Sequence, residues 1–423
     1  MKKIVVQWEN GWSRVALLEN GRLAEFYLEG PEENERAGNV YKGRVVNVLP
    51  GMEAAFVDIG LGKNAFLYRD ELLPPFSDES VAPKPPIQDL VRVGQEVLVQ
   101  VKKETQGGKG ARVTTRFSFP GRWLVYMPGA DHTAISRKID GPGERHRLKA
   151  WGDHVRMDQD GIIIRTAAAG HREETLEKEW NLLHDLWAAA LSKSRELPAP
   201  CLIYRDLDLI PRLVRDLFTD QIDELIIDDE ALGHHIISLL DGIAPELSSK
   251  ISIYRGSIPL FEAYPVQTEL TRAFKRKIPL GSGGHLVVDR TEAMTVIDVN
   301  TGGYTGKDDL EETVFRTNLE AADEIVQLLR LRDIGGMIVV DFIDMKLEQH
   351  RLAVRAVMEQ KAEADRSKLQ LIGWTKLGLF ELTRTKRRQT LDGRFFETCS
   401  ICGGLGRLPT ALLRGNGLDS SSK

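Results

Sequence analysis

Apolar and polar positions change their spacing several times along the chain, and each change marks a predicted element. Through residues 3–29 the apolar runs are strand-sized. Segments 12–18 and 22–28 flank Glu19-Asn20-Gly21, and Asn-Gly between two such runs predicts a β-hairpin that Gly30-Pro31 ends. Residues 39–116 carry short β-rich runs at 43–48, 54–59 and 94–101, punctuated by Pro50-Gly51 and Gly60-Leu61-Gly62, the pattern of a small all-β barrel. A proline-rich stretch, 73–86, predicts a surface loop within it. From 119 to 198 the pattern is mixed, with strand-like runs at 123–127 and 162–164 and a helix over 173–192. Residues 200–265 alternate strand and helix, with apolar runs at 224–227 and 251–254 around a helical stretch at 231–240.

The segment 278–395 is the most legible. Runs 286–289 and 294–298 read as strands joined by a tight polar turn, and a helix over about 310–332 places Leu310, Val314, Ile325 and Leu329 at helical spacing. Asp308 precedes it with Glu311 three residues on, an acidic analogue of a capping box. Gly335-Gly336 breaks the helix, and Met337-Ile338-Val339-Val340-Asp341 reads as a fully apolar strand of the kind buried on both faces. This is a β-α-β unit whose parallel strands each end in an aspartate, Asp298 and Asp341. Strands lie about 4.8 Å apart, so a magnesium ion with oxygen ligands near about 2.1 Å can bridge the two carboxylates. The carboxyl edge of such a sheet is where ligands bind. Asn300 offers an amide to a phosphate, and Thr301-Gly302-Gly303-Tyr304-Thr305-Gly306 lets backbone approach one. The alternative is that both aspartates merely cap the helices that follow. Asp344 is a second candidate ligand, although a helix cap suits it better.

Composition narrows the class. A chain of 423 residues predicts two to four domains, and 42% hydrophobic with 28% charged residues is ordinary for a soluble protein. No run reaches the roughly 18–20 apolar residues of a membrane span, and the N-terminus turns polar too soon for a signal peptide. Three cysteines build no disulfide framework, which points to a reducing compartment and a cytoplasmic protein. A formal net charge of −5 counts mildly against nucleic-acid binding, so any such surface is a local basic patch on an acidic body. Between 102 and 116, Lys102, Lys103, Lys109, Arg112 and Arg116 stand against Glu104 alone, among glycines that would let Lys109 and Arg112 reach a phosphate backbone. Arg384-Thr385-Lys386-Arg387-Arg388 suits phosphates too, or a solvated helix face. Cys399-Ser400-Ile401-Cys402 supplies two thiolates where structural zinc wants four ligands, so two chains, each giving a pair across a two-fold axis, could close a site; a redox pair is the alternative. Cys201 reads as a buried core thiol.

The run at 296–345, VIDVNTGGYTGKDDLEETVFRTNLEAADEIVQLLRLRDIGGMIVVDFIDM, resembles the DNase I-like catalytic subdomain of the ribonuclease E/G family. GRVVNVLPGMEAAFVDIG at 43–60 with Ala65-Phe66-Leu67 resembles its S1-type OB barrel, GIIIRTA at 161–167 its 5′ sensor, and the cysteine pair its zinc-link. The resemblance covers about 1–408. It implies an α/β multidomain fold: an RNase H-like domain split between 1–38 and 199–277, a barrel at 39–118 and a sensor at 119–198. A catalytic subdomain at 278–395, a zinc-link at 396–408 and a flexible tail at 409–423 complete it. It implies that Asp298 and Asp341 hold a catalytic magnesium and that Asn300 orients the phosphate. Phe56 and Phe66 would stack on bases, and Arg165 and Thr166 would take a 5′-monophosphate. Cys399 and Cys402 would share a structural zinc with a second chain in a homodimer. The chain ends soon after the knuckle, so no scaffold for partner enzymes is expected. The activity implied is magnesium-dependent cleavage of single-stranded, A/U-rich RNA to 5′-phosphate and 3′-hydroxyl ends, in rRNA processing and mRNA decay. The alternative is a non-catalytic RNA-binding protein of the same architecture.

Overall fold

The computed structural model describes residues 1–31, 36–72, 84–103, 110–156, 159–241, 244–302, 310–386, 390–404, 406 and 408. The chain forms two compact units, Met1–Val15 with Tyr27–Ser257, and Ala16–Phe26 with Ile258–Lys423. Among the described residues no helix is long and apolar enough to cross a membrane.

In the first unit the strand Lys2–Glu9 pairs in parallel with Glu224–Ile227, which pairs in parallel with Ile251–Ile253. One sheet therefore joins segments more than 200 residues apart, sealed by Ile4, Val5, Val6 and Leu225 to Ile227, all buried. Five further strands close a barrel: Val40–Leu49, Ala54–Asp58, Ala65–Tyr68, Arg112–Thr114 and Glu96–Lys103, with the last pairing back onto the first. Val45, Val57, Leu67, Val99, Val101 and Val113 fill it. At Gly43 a Cβ would lie 2.6 Å from Val57 and 2.8 Å from the Asp58 carbonyl, so only glycine lets these strands cross here. Cys201, expected in the core, is only half-buried, because its strand Cys201–Tyr204 lies against the outer end of Val40–Leu49.

The next sheet runs in the order Thr133–Ile135, Asp160–Ile164, Leu124–Pro128, Phe119–Pro120, with helices Pro142–Val155 and Glu173–Glu196 beside it. Trp180 is buried edge-on against Tyr126, ring centroids 5.1 Å apart. Helix Pro142–Val155 escapes the periodicity because it carries two glycines; Gly152 is required, since a Cβ there would meet Thr133 at 2.8 Å. Within this helix Arg147 donates to both oxygens of Glu144, at 2.9 and 2.8 Å, and Gly170 N–H donates to it at 2.9 Å. These bonds depress the Glu144 carboxyl from 4.5 to about 2. A depressed acid stabilises the fold fully above its unfolded value and loses that contribution as pH falls through the folded one. The expected outcome is a loss of stability between about 4.5 and about 2 from this group; an NMR titration midpoint for Glu144 near 4.5 would exclude it.

The second unit is built on a six-stranded sheet in the order Lys277–Pro279, His285–Arg290, Met294–Asn300, Gly336–Asp341, Phe380–Arg384, Leu369–Trp374. Only the central pair, Met294–Asn300 with Gly336–Asp341, is parallel. The helix Leu310–Leu331 links these two strands. Val314, Ala321, Ala322, Ile325 and Leu329 are buried on it, as are Leu286, Ile297, Val299, Ile338, Val340 and Leu382 on one face of the sheet. On the other face Met294, Asp298, Met337 and Asp341 are exposed. The strand over 337–341 is thus not buried on both faces: Met337 is half exposed and Val339 half-buried, while Ile338 and Val340 on the alternate positions are buried. Glu311 also ties its helix to the chain that follows the strand Gly336–Asp341. It accepts from the Lys346 and Leu347 N–H groups and meets His350 Nδ1 at 3.0 Å, pinning the entry to helix Glu348–Ala362; Asp308 lies outside the described residues.

The hairpin tip of this unit turns at Asn20 (φ 51°) and Gly21 (φ 79°), both left-handed as an Asn-Gly turn requires. Arg330 holds it through Glu19 at 3.1 Å and Glu25 at 3.0 Å. Arg384, read as part of a basic cluster for phosphates, is instead buried: it pairs with Asp365 and Asp333, each at 2.7 Å. Arg387 and Arg388 lie outside the described residues.

Candidate active site

Asp298 and Asp341 are direct partners in the parallel ladder. Strand alternation sends Ile297, Val299 and Val340 into the core and both aspartates to the open face, where both are exposed. Asn300, two residues on, shares that face, and its amide donates to Asp298 Oδ2 at 2.8 Å. His285 lies opposite Asn300, and Val287 opposite Asp298. Asp289 is the next residue along this face, but Arg276 engages both its oxygens, at 2.6 and 2.7 Å. Two carboxylates therefore stand in register on neighbouring strands of a β-α-β unit, Asp341 at the end of its strand and Asp298 two residues before the end of its own. No cluster of three or more His, Cys, Asp or Glu residues able to hold a metal occurs among the described residues. A pair still fits magnesium, which keeps several waters and binds through one or two carboxylates.

The surroundings hold this pair in place. Asn318, fully buried on the long helix, donates to the Ile343 carbonyl at 2.8 Å and accepts from the Ile343 N–H at 3.1 Å. That pair of hydrogen bonds fixes the chain just past Asp341, and periodicity gave no sign of it. Gly284 and Gly302 let two loops close beside Asn300: a Cβ on Gly284 would lie 2.6 Å from the Asn300 carbonyl, and one on Gly302 2.5 Å from that of Gly283. The remainder of the glycine loop, 303–306, lies outside the described residues. Asp344 is exposed and does not cap the following helix, whose N-cap is Leu347.

On the barrel, Phe56 and Phe66 are cross-strand partners with ring centroids 5.3 Å apart. Ala55, Val57, Ala65 and Leu67 fill the interior, so both rings stand on the outside, half-buried. Tyr68, which the sequence reading passed over, extends the patch at 4.5 Å from Phe66; its position two residues along the same strand was the available signal. Arg112 lies over the Tyr68 ring, 4.5 Å from its centroid. Glu71 holds Arg112 at 3.2 Å and Lys102 at 2.7 Å. Burial pushes the Glu71 carboxyl up, but hydrogen bonds from Lys102 and Thr114 and the two cations hold it below its ordinary value. The result is an aromatic strip edged by oriented cations; Lys109 lies outside the described residues.

Arg165 follows strand Asp160–Ile164, and Thr166 opens the turn after it. Arg165 Nη1 donates to the Gly121 carbonyl and to Asp216 Oδ1, the latter at 2.8 Å. Thr166 Oγ1 meets Ser136 Oγ at 2.8 Å. Gly121 is fixed from behind by Glu179, which accepts the N–H groups of Arg122, Trp123 and Leu124 at 2.6, 2.8 and 2.9 Å.

Cys399 is exposed and Cys402 half-buried, both free thiols. N–H groups of Cys402 and Ile401 point at the Cys399 sulfur and lower its pKa, so the turn favours the thiolate a metal needs. Two such ligands make half of a zinc site.

Residues 118–387 match the model of the ribonuclease E/G family. Ribonuclease G of Escherichia coli (strain K12) is 40% identical over 405 residues, 94% of this chain and 82% of the relative. Ribonuclease G of Haemophilus influenzae is 40% identical over 403 residues, again 94% and 82%. Ribonuclease E of Escherichia coli (strain K12) is 39% identical over 402 residues, 93% of this chain but 37% of that longer relative. The family match spans Arg165, Asp298 and Asp341, and the chain belongs to the ribonuclease E/G family.

Proposed function

We propose that this chain, an endoribonuclease by family, hydrolyses single-stranded RNA with magnesium at Asp298 and Asp341, leaving 5′-phosphate and 3′-hydroxyl ends. The observation that carries the reading is the in-register pair on an open sheet face, with Asn300 bonded to one member. Bound magnesium would acidify water and stabilise the charge that develops on the phosphate. The chain's own residues do the rest. Asp298 and Asp341 hold the cation, Asn300 keeps Asp298 in one orientation and presents an amide to the scissile phosphate, and Asn318 anchors the loop behind Asp341.

The same reading gives the other surfaces their roles. Phe56, Phe66 and Tyr68 stack on bases while Arg112 and Lys109 take the backbone, which suits unpaired strands. Arg165 and Thr166 take a 5′-monophosphate. Cys399 and Cys402 of two chains enclose one zinc ion in a homodimer, the domains follow the split RNase H-like and DNase I-like plan, and the substrates are A/U-rich sites in rRNA processing and mRNA decay in the cytoplasm. Phe66→Ala is expected to weaken binding of a single-stranded oligonucleotide by about 1–3 kcal/mol. Fluorescence anisotropy checks this, and an unchanged Kd removes the stacking role.

The deciding experiment is cleavage of a 5′-monophosphorylated single-stranded RNA with magnesium, comparing the native protein with Asp298→Ala and Asp341→Ala, with RNA binding measured on all three. The expected result is binding by all and cutting by the native protein alone. Variants that cut at the native rate would move the chemistry elsewhere.

A further inference from the structure

Arg165 is placed by a partner that no sequence motif links to it. Its guanidinium uses a single nitrogen, Nη1, for both of its hydrogen bonds among the described residues, to the Gly121 carbonyl and to Asp216 Oδ1. Nε and Nη2, the edge able to form a two-pronged contact with a phosphate, take no bond among the described residues. Asp216 is itself immobilised. Arg215 donates to its two oxygens at 3.2 and 3.0 Å, and is in turn held by the Pro120 carbonyl at 2.9 Å and lies 3.7 Å from Asp206. Pro120 and Gly121 are adjacent, so both arginines read one short stretch of backbone, the stretch whose next three N–H groups Glu179 grips.

We propose that Asp216 is a positioning residue for 5′-end recognition: it fixes Arg165 by one nitrogen so that the remaining guanidinium edge faces the terminal phosphate. The inference rests on the assignment of Arg165 to 5′-monophosphate binding. Burial pushes the Asp216 carboxyl up, but its bonds with Arg215 and the charge of Arg165 hold it below its usual value, so it remains ionised at neutral pH.

The test measures kcat and KM on matched oligonucleotides carrying a 5′-monophosphate or a 5′-hydroxyl, for the native protein, Asp216→Asn, Asp216→Glu and Arg165→Gln. Asp216→Asn keeps side-chain volume and one acceptor oxygen. It is expected to reduce the monophosphate advantage about tenfold, mainly through KM, the scale of one oriented charge-assisted contact. Turnover of the hydroxyl substrate stays native, and Asp216→Glu restores part of the advantage. If Arg165→Gln erases the advantage while Asp216→Asn leaves or raises it, the positioning role is overturned and the sensor assignment stands. If Arg165→Gln has no effect, the sensor assignment itself fails. Equal loss on both substrates with Asp216→Asn would mark a purely structural residue and also overturn the proposal.

Discussion

Asp341→Asn is expected to lower the cleavage rate by at least about 10²–10³-fold while RNA affinity stays near native, read by single-turnover kinetics beside an equilibrium binding assay. The substitution preserves volume and hydrogen-bonding capacity, so the strand Gly336–Asp341 and its pairing with Asp298 persist. What disappears is one of two negative charges facing the same point. Magnesium is a hard cation that sheds water reluctantly, and its hold on a two-carboxylate site depends on both charges. The variant should therefore also need more magnesium for its residual activity. Asn318→Ala makes a useful contrast. It leaves both carboxylates in place but frees the Ile343 backbone they depend on, so its loss of rate should come with a loss of stability that Asp341→Asn does not share. Native activity in Asp341→Asn at ordinary magnesium would remove this aspartate from the chemistry.

Arg384→Ala is expected to destabilise the protein by about 3–5 kcal/mol, seen as an earlier transition in chemical denaturation. Arg384, Asp333 and Asp365 are each no more than 4% exposed in their side chains, and the guanidinium joins the two acids and the Ile334 carbonyl. Truncation removes the guanidinium from between two carboxylates held away from water, which costs more than the ion pair contributes in isolation. Burial alone would make Arg384 give up its proton more easily, but Asp365 and Asp333 reverse that and keep it charged. Arg384→Lys should recover only part of the loss, because an ammonium cannot reproduce the planar fork. A phosphate-binding Arg384 would behave in the opposite way, weakening RNA affinity while leaving denaturation unchanged. Lys386, exposed two residues later, is the control: its removal should shift stability by no more than about 0.5 kcal/mol.

The sequence by itself determined the elements whose signals are local. Asn20-Gly21 specified a left-handed turn, the spacing from Leu310 to Leu329 a helix, and two apolar runs ending in Asp298 and Asp341 the parallel pair flanking it. The cysteine turn and the strand runs that close the barrel were legible for the same reason: turn chemistry and side-chain period are set by neighbours in the chain. The tertiary structure alone decided what each charged residue meets. A basic run at 384–388 reads identically whether solvated or buried, and it took the approach of Asp365 and of Asp333, 51 residues earlier, to turn Arg384 inward. Arg165 found Asp216, again 51 residues away, and Glu71, in a helical turn, gathered Lys102 and Arg112 from two strands. The open face at Val339 was hidden too, since an apolar run records that a strand is apolar and not how many layers cover it. Partners of this kind have no sequence period, because the distance between two charges is fixed by how sheets and helices pack and not by the chain that separates them.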